Sequence, residues 1–180
     1  VVFAAFMMVE KYGFQVNDLA LLFLANLMVN VFVAPIIGTL IKRLGERVVL
    51  VIEYAGLTLV FIAYSGLYIF GWGVVFAAAL YLIDHFFFGM SFALKTYFQK
   101  IADPRDIAPT AAVAFTINHI SAVFLPATLG YVWIKSPDLV FIIASLIALL
   151  SLILALLIPR APTPSNRTIF TKFFPKIISR

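Results

Sequence analysis

The sequence predicts an all-α fold, a polytopic transmembrane helical bundle. Three observations carry this expectation. The first is composition: 64% of the 180 residues are apolar and 12% are charged. Soluble domains carry about 45–50% apolar and about 25% charged residues. There is too little polar surface here to cover a globule in water, so the bilayer is the natural solvent. The second is that the apolar residues gather into runs of the length a membrane helix needs, about 20 residues. The third is that the basic residues are sorted by connection.

The spans are expected in order at 19–41, 48–70, 74–94, 111–134 and 139–158, with 1–9 as the remainder of a further span whose beginning lies upstream. The sequence is therefore expected to be part of a longer chain. The runs lack strand alternation and are too long for barrel strands, so helices are the spanning form. Between them lie "EKYGFQVND", "KRLGER", "GWG", "KTYFQKIADPRDIAP" and "KSPD", punctuated by Gly, Pro and Asp as turns. Pro35 and Pro126 fall inside spans and are expected to bend them. The last run, 139–158, is apolar all round apart from Ser145 and Ser151, as a helix facing lipid would be.

Alternate connections hold Lys42, Arg43 and Arg47, then Lys95, Lys100 and Arg105, then Arg160 and the basic tail. The remaining connections hold only Lys11 and Lys135. Under the positive-inside rule the basic side is cytoplasmic, and the C-terminus lies there too. The expected location is a bacterial inner or plasma membrane. The net charge of +5 thus marks a leaflet, and nucleic acid is not expected as a partner. Residues 1–160 form the membrane bundle and 161–180 a basic tail. In that tail Ile169, Phe170, Phe173, Phe174, Ile177 and Ile178 repeat at helical spacing, with Lys172, Lys176 and Arg180 on another stripe. This pattern predicts an amphipathic helix on an anionic leaflet, while Pro175 argues for a disordered tail instead. The "NRT" sequon at Asn166 would go unused on a cytoplasmic side.

Enzyme signatures are missing. With no cysteine and two histidines, neither a thiolate metal site nor a His-rich di-metal centre can be built. "YSGLY" lacks the front of a nucleophile elbow, and no phosphate-binding loop is present. No cofactor is expected, and the chain is not expected to be an enzyme.

The "GTLIKRLGER" stretch resembles the cytoplasmic loop signature of the major facilitator superfamily, G-x-x-x-D-R-x-G-R-[RK]. Gly38, Arg43, Gly45 and Arg47 occupy signature positions. Gly38 would let a neighbouring helix approach, Gly45 would tolerate a left-handed turn, and the cations would hold the loop inside. Lys42 stands at the acidic position and Glu46 at an arginine position, so the family's acidic lock between halves does not carry over to Lys42; Glu46 or Glu53 would have to replace it. The resemblance implies the C-terminal six-helix half of such a transporter, first helix truncated, with 1–9 to 139–158 standing for helices seven to twelve. It implies a secondary transporter moving a small solute by alternating access, coupled to an ion, with protons the expected one, or driven by the substrate's own gradient. Its partners would be the N-terminal half of the same transporter, the substrate and membrane lipids. The alternative is a small membrane scaffold or assembly protein that transports nothing.

Ionisable groups inside a bilayer cost roughly 2.5–3.5 kcal/mol on insertion scales, so each needs a reason. Asp84 falls at the middle of 74–94, and His119 lies about 12 Å into its own span from the basic side. The two share a depth on sequential antiparallel helices. Asp84 with His119, or Asp84 with His85, is therefore expected to form a proton-coupling or substrate-binding group; the bland reading is an interhelical polar contact. Asn118, Ser121 and Thr128 share one face, Tyr81, Asp84 and Ser91 another, and Asn26 and Asn30 sit one turn apart. These amides either bind substrate or hold helices together. Glu53, about 8 Å into its span, is expected to pair with Arg43, Arg47 or Lys42.

Overall fold

A computed structural model describes residues 2–169; the amphipathic pattern from 170 onward lies outside the described residues. Among the described residues seven helices follow one another: α1 (Val2–Tyr12), α2 (Val16–Leu44), α3 (Glu46–Phe70), α4 (Val74–Gly89), α5 (Phe92–Ile101), α6 (Pro104–Lys135) and α7 (Pro137–Leu156). Five helical segments are long and apolar enough to cross a membrane, α4 and α5 together making one of them. The protein is an all-helical integral membrane protein, and among the described residues it has no strand beyond an isolated bridge between Thr163 and Asn166.

The helices overrun the apolar runs that seed them. α2 has 29 residues and α6 has 32, which at about 1.5 Å per residue makes both longer than a hydrocarbon core of about 30 Å. Lys, Arg and Gln are good helix formers, so polarity alone does not stop a helix. The expected long loop 95–109 is accordingly almost all helix. α5 continues through Lys95 and Lys100, and α6 starts at Pro104, its first turn capped by Asp103, whose Oδ1 accepts from the Arg105 amide at 2.9 Å. The run 74–94 is instead broken near Gly89, where the amides of Met90 and Ser91 turn back onto the carbonyls of Phe87 and Phe88. Three helices, α1, α2 and α3, stop at a glycine of positive φ: Gly13, Gly45 and Gly71. Gly45, at φ 82° and ψ 161°, joins α2 to α3 in a region of backbone space open to little else.

α3 is the central element. It packs along α7 and also against α2, α4 and α5. The stripe α7 turns inward carries small residues, Ser145, Ala148 and Ala155, which let two helices come close where lipid supplies no hydrophobic drive. Its other face, with Leu146, Leu150, Ile153 and Leu154, is exposed. α7 thus has a buried side as well as a lipid-facing one. Two apolar clusters fill the interior. One joins Met7, Met8, Tyr64, Leu67, Tyr81, Trp133 and Phe141. The other, toward the basic end, joins Ile37, Ile41, Val49, Leu50, Met90, Ala93 and Ala155.

At the basic end Lys100 Nζ lies 2.6 Å from Glu46 Oε1, the carboxylate side chain being 2% exposed and the ammonium side chain 53%. The bond ties the start of α3 to the end of α5. Removing one partner of a buried pair strands the other charge, at a cost of about 3–5 kcal/mol. Water reaches Lys100, so Lys100→Met is expected to cost about 3 kcal/mol, near the lower end of that range. Thermal unfolding in detergent measures it, and Glu46→Gln/Lys100→Met should recover most of the loss.

At the opposite end Lys11 donates to the Leu67 carbonyl at 2.6 Å and lies 4.2 Å from the centre of the Tyr68 ring. A cation on a last-turn carbonyl of α3 complements the helix dipole. Burial lowers the pKa of this ammonium from its ordinary value.

Candidate functional site

α4 buries the stripe Ala77, Leu80, Tyr81 and Asp84. These positions run i, i+3, i+4, i+7, so Asp84 occupies a place where an apolar side chain would complete the stripe. It is 2% exposed. Tyr81 stands on the same buried stripe, His85 follows in sequence, and Tyr64 of α3 packs in the cluster that Tyr81 joins. Tyr64 is fully buried, stacked on Phe141 with ring centres 5.0 Å apart, and its hydroxyl has no hydrogen-bond partner among the described residues. His85 Nδ1 lies 2.8 Å from the Tyr81 carbonyl, and its ring rests 4.3 Å from the Tyr81 ring. The site is thus a carboxylate, an imidazole and two phenols enclosed by apolar helices. A carboxylate there can hold or release a proton, and the phenols can donate to it or to a ligand.

Asn26 and Asn30 belong to α2, which packs on α4. Asn26 is buried, and Asn30 Nδ2 donates to Asn26 Oδ1 at 3.1 Å and to the Asn26 carbonyl at 3.0 Å. A methyl group at Gly89 would lie 3.8 Å from Asn30 Oδ1, so this amide sits against the end of α4.

His119 and Asn118 are elsewhere. Both are exposed on α6, and His119 is turned onto its own helix, with Nδ1 2.9 Å from the Phe115 carbonyl and its ring 3.9 Å from the Phe115 ring. The expected pairing of Asp84 with His119 is not made. Equal depth fixed neither the direction in which each side chain points nor where α6 stands. That helix is anchored at the end far from the basic residues, around Trp133, and its central stretch carries no buried residue. Thr128, on the same expected face, bonds back to the Phe124 carbonyl.

The loop residues need two corrections. Among the described residues nothing would lie within 4 Å of a methyl group at Gly38, so no described helix makes a close approach to it. That role falls to Gly56, where a methyl carbon would meet Phe87 at 2.3 Å. Nor does Glu53 pair with Lys42, Arg43 or Arg47: it is 2% exposed, two turns inside α3, and its Oε2 has no hydrogen-bond partner among the described residues. Glu53 shares the inward face of α3 with Val49, Leu50, Gly56 and Leu57, whereas Lys42 and Arg43 are exposed. The acid that reaches a cation is Glu46, and the cation is Lys100.

Sequence reasoning missed Tyr64, Lys100, Glu10 and Trp133. Trp133 Nε1 donates to Glu10 Oε2 at 2.6 Å across 123 residues of sequence, and no local pattern signals such a contact. Among the described residues no three of His, Asp and Glu gather where a metal ion could sit. Compared with protein families, with curated proteins and with solved structures, the chain matches none.

Proposed function

We propose that this chain is the C-terminal half of a secondary transporter of major-facilitator type, which moves a small solute by alternating access and couples it to protons. The observation that carries the reading is Asp84: an acid 2% exposed in the interior of a membrane bundle, on one buried face with Tyr81, which packs in a cluster with Tyr64. Evolution tolerates an acid at that depth when it does something. The sorting of Lys42, Arg43, Arg47, Lys100 and Arg105 to one end supports a cytoplasmic "KRLGER" hairpin. Its glycine at φ 82° supports the loop signature. In such a carrier the site lies near the bilayer midplane between two halves, and one half rocks against the other.

The test is flux in vesicles holding the full-length protein, with an inward or outward pH gradient imposed. Solute should accumulate against its own gradient, and a protonophore should stop it. Upstream sequence should hold six further spans. A scaffold is favoured by a different feature, the uncovered central stretch of α6, which a partner subunit would cover. Under that reading no gradient moves any solute, and the protein co-purifies in a fixed ratio with another membrane protein.

A further inference from the structure

A second site lies where α1 meets α6. α1 and the end of α6 far from the basic residues line an open cleft of about 820 Å³, within the size range of small-molecule pockets. Its walls carry Phe3, Phe6, Tyr131 and Trp133, with Pro126 at one end and Glu10 at the other. Phe3 stacks on Trp133 and Phe6 meets it edge-on, both with ring centres 5.4 Å away. Trp133 is 4% exposed and held further by Tyr68 and Phe141, so this one ring is fixed in place. Glu10 is the one charged side chain lining the cleft among the described residues. The Trp133 N–H holds one of its carboxylate oxygens, which fixes the charge in place and leaves lone pairs for a ligand. The neighbouring cation, Lys11, does not neutralise it: its ammonium is committed to the Leu67 carbonyl and the Tyr68 ring.

Electron-rich ring faces beside a fixed carboxylate attract one kind of small molecule, a hydrophobic organic cation. We propose that the cleft between α1 and α6 binds hydrophobic organic cations of drug size, with Glu10 as counter-charge and the exposed rings of Phe6 and Tyr131 as the cation–π surface, Trp133 being the buried post that holds Glu10 and Phe3 in place. The proposal rests on the transport reading only where it makes this cation the cargo.

The probe is tetraphenylphosphonium, added to purified full-length protein carrying Trp72→Phe, which leaves Trp133 as the fluorophore within this chain. Saturable quenching is expected. Glu10→Gln keeps an acceptor for the Trp133 N–H and removes the charge; it should weaken binding at least tenfold. Glu10→Asp keeps the charge and should weaken it no more than about threefold, the effect of a small geometric shift. The neutral analogue triphenylphosphine oxide should bind at least tenfold more weakly than the cation. Equal binding of the two probes, an unchanged Glu10→Gln, or an Asp variant as impaired as the Gln variant would overturn the proposal. Binding without gradient-driven flux supports the cleft and counts against the transport reading. Flux of some other solute with no phosphonium binding overturns the cleft and leaves that reading standing.

Discussion

Asp84→Asn is expected to reduce gradient-driven accumulation in vesicles on the order of 100-fold, the upper range of coupling between two ligands of one protein. Asparagine has nearly the same shape and can still donate and accept hydrogen bonds, but it cannot carry a proton on and off. Exchange of solute down its own gradient should survive better than accumulation, because only the coupling is removed. Stability should hold: asparagine keeps the shape and the hydrogen-bonding capacity of the buried side chain, so the amide variant should melt within a few degrees of the wild type. Lost accumulation at undiminished melting temperature is the signature of a working acid. A variant that keeps full accumulation would remove Asp84 from the mechanism. One that loses flux only as it loses folded protein would make the acid a helix contact.

Gly56→Leu should be the most damaging single change in the packing. The position faces Phe87 across the α3–α4 contact, and even a methyl carbon there would lie 2.3 Å from the ring. Phe87 is half-buried and packs against the cluster that holds Val49, Leu50 and Met90, so its ring must turn outward, away from that cluster, to make room. Overpacking costs about 1–3 kcal/mol, and a four-carbon branch belongs at the top of that range. For a chain of this size about 3 kcal/mol lowers the melting temperature by about 6–12 °C. Phe87→Ala in the same chain reopens the space, so the double variant should recover at least half of the drop. If Gly56→Leu melts within 2 °C of the wild type, a shift of about the size that 1 kcal/mol produces, α3 and α4 do not meet in this way.

The spans were legible because apolar length is a one-dimensional signal. Asp84 was legible for the same reason, since an acid stands out inside such a run, and its neighbours Ala77, Leu80 and Tyr81 repeat at helical spacing. Helix ends were less so: charge reads as loop, yet α5 carries Lys95 and Lys100 on a continuing helix. Direction around each axis was least legible. Nearly every face of these helices is apolar, so sequence periodicity says little about which side meets a neighbour. That is why Glu53 was expected at the loop and His119 beside Asp84. Contacts between distant segments, such as Glu10 with Trp133 or Glu46 with Lys100, follow from the three-dimensional arrangement alone.

The uncovered middle of α6 bears on how the chain enters the bilayer. Its most apolar window has a mean hydropathy of 1.5, the lowest of the five candidate spans, while α7 directly after it reaches 3.1, the highest. A weakly apolar segment carrying Asn118 and His119 partitions poorly by itself. The two are joined at Ser136, with no intervening loop to separate them. During synthesis α6 is therefore expected to wait at the translocation machinery until α7 emerges, the pair leaving for lipid as one hairpin. Replacing α7 with a polar segment should leave α6 outside the membrane, accessible to a water-borne label along its length.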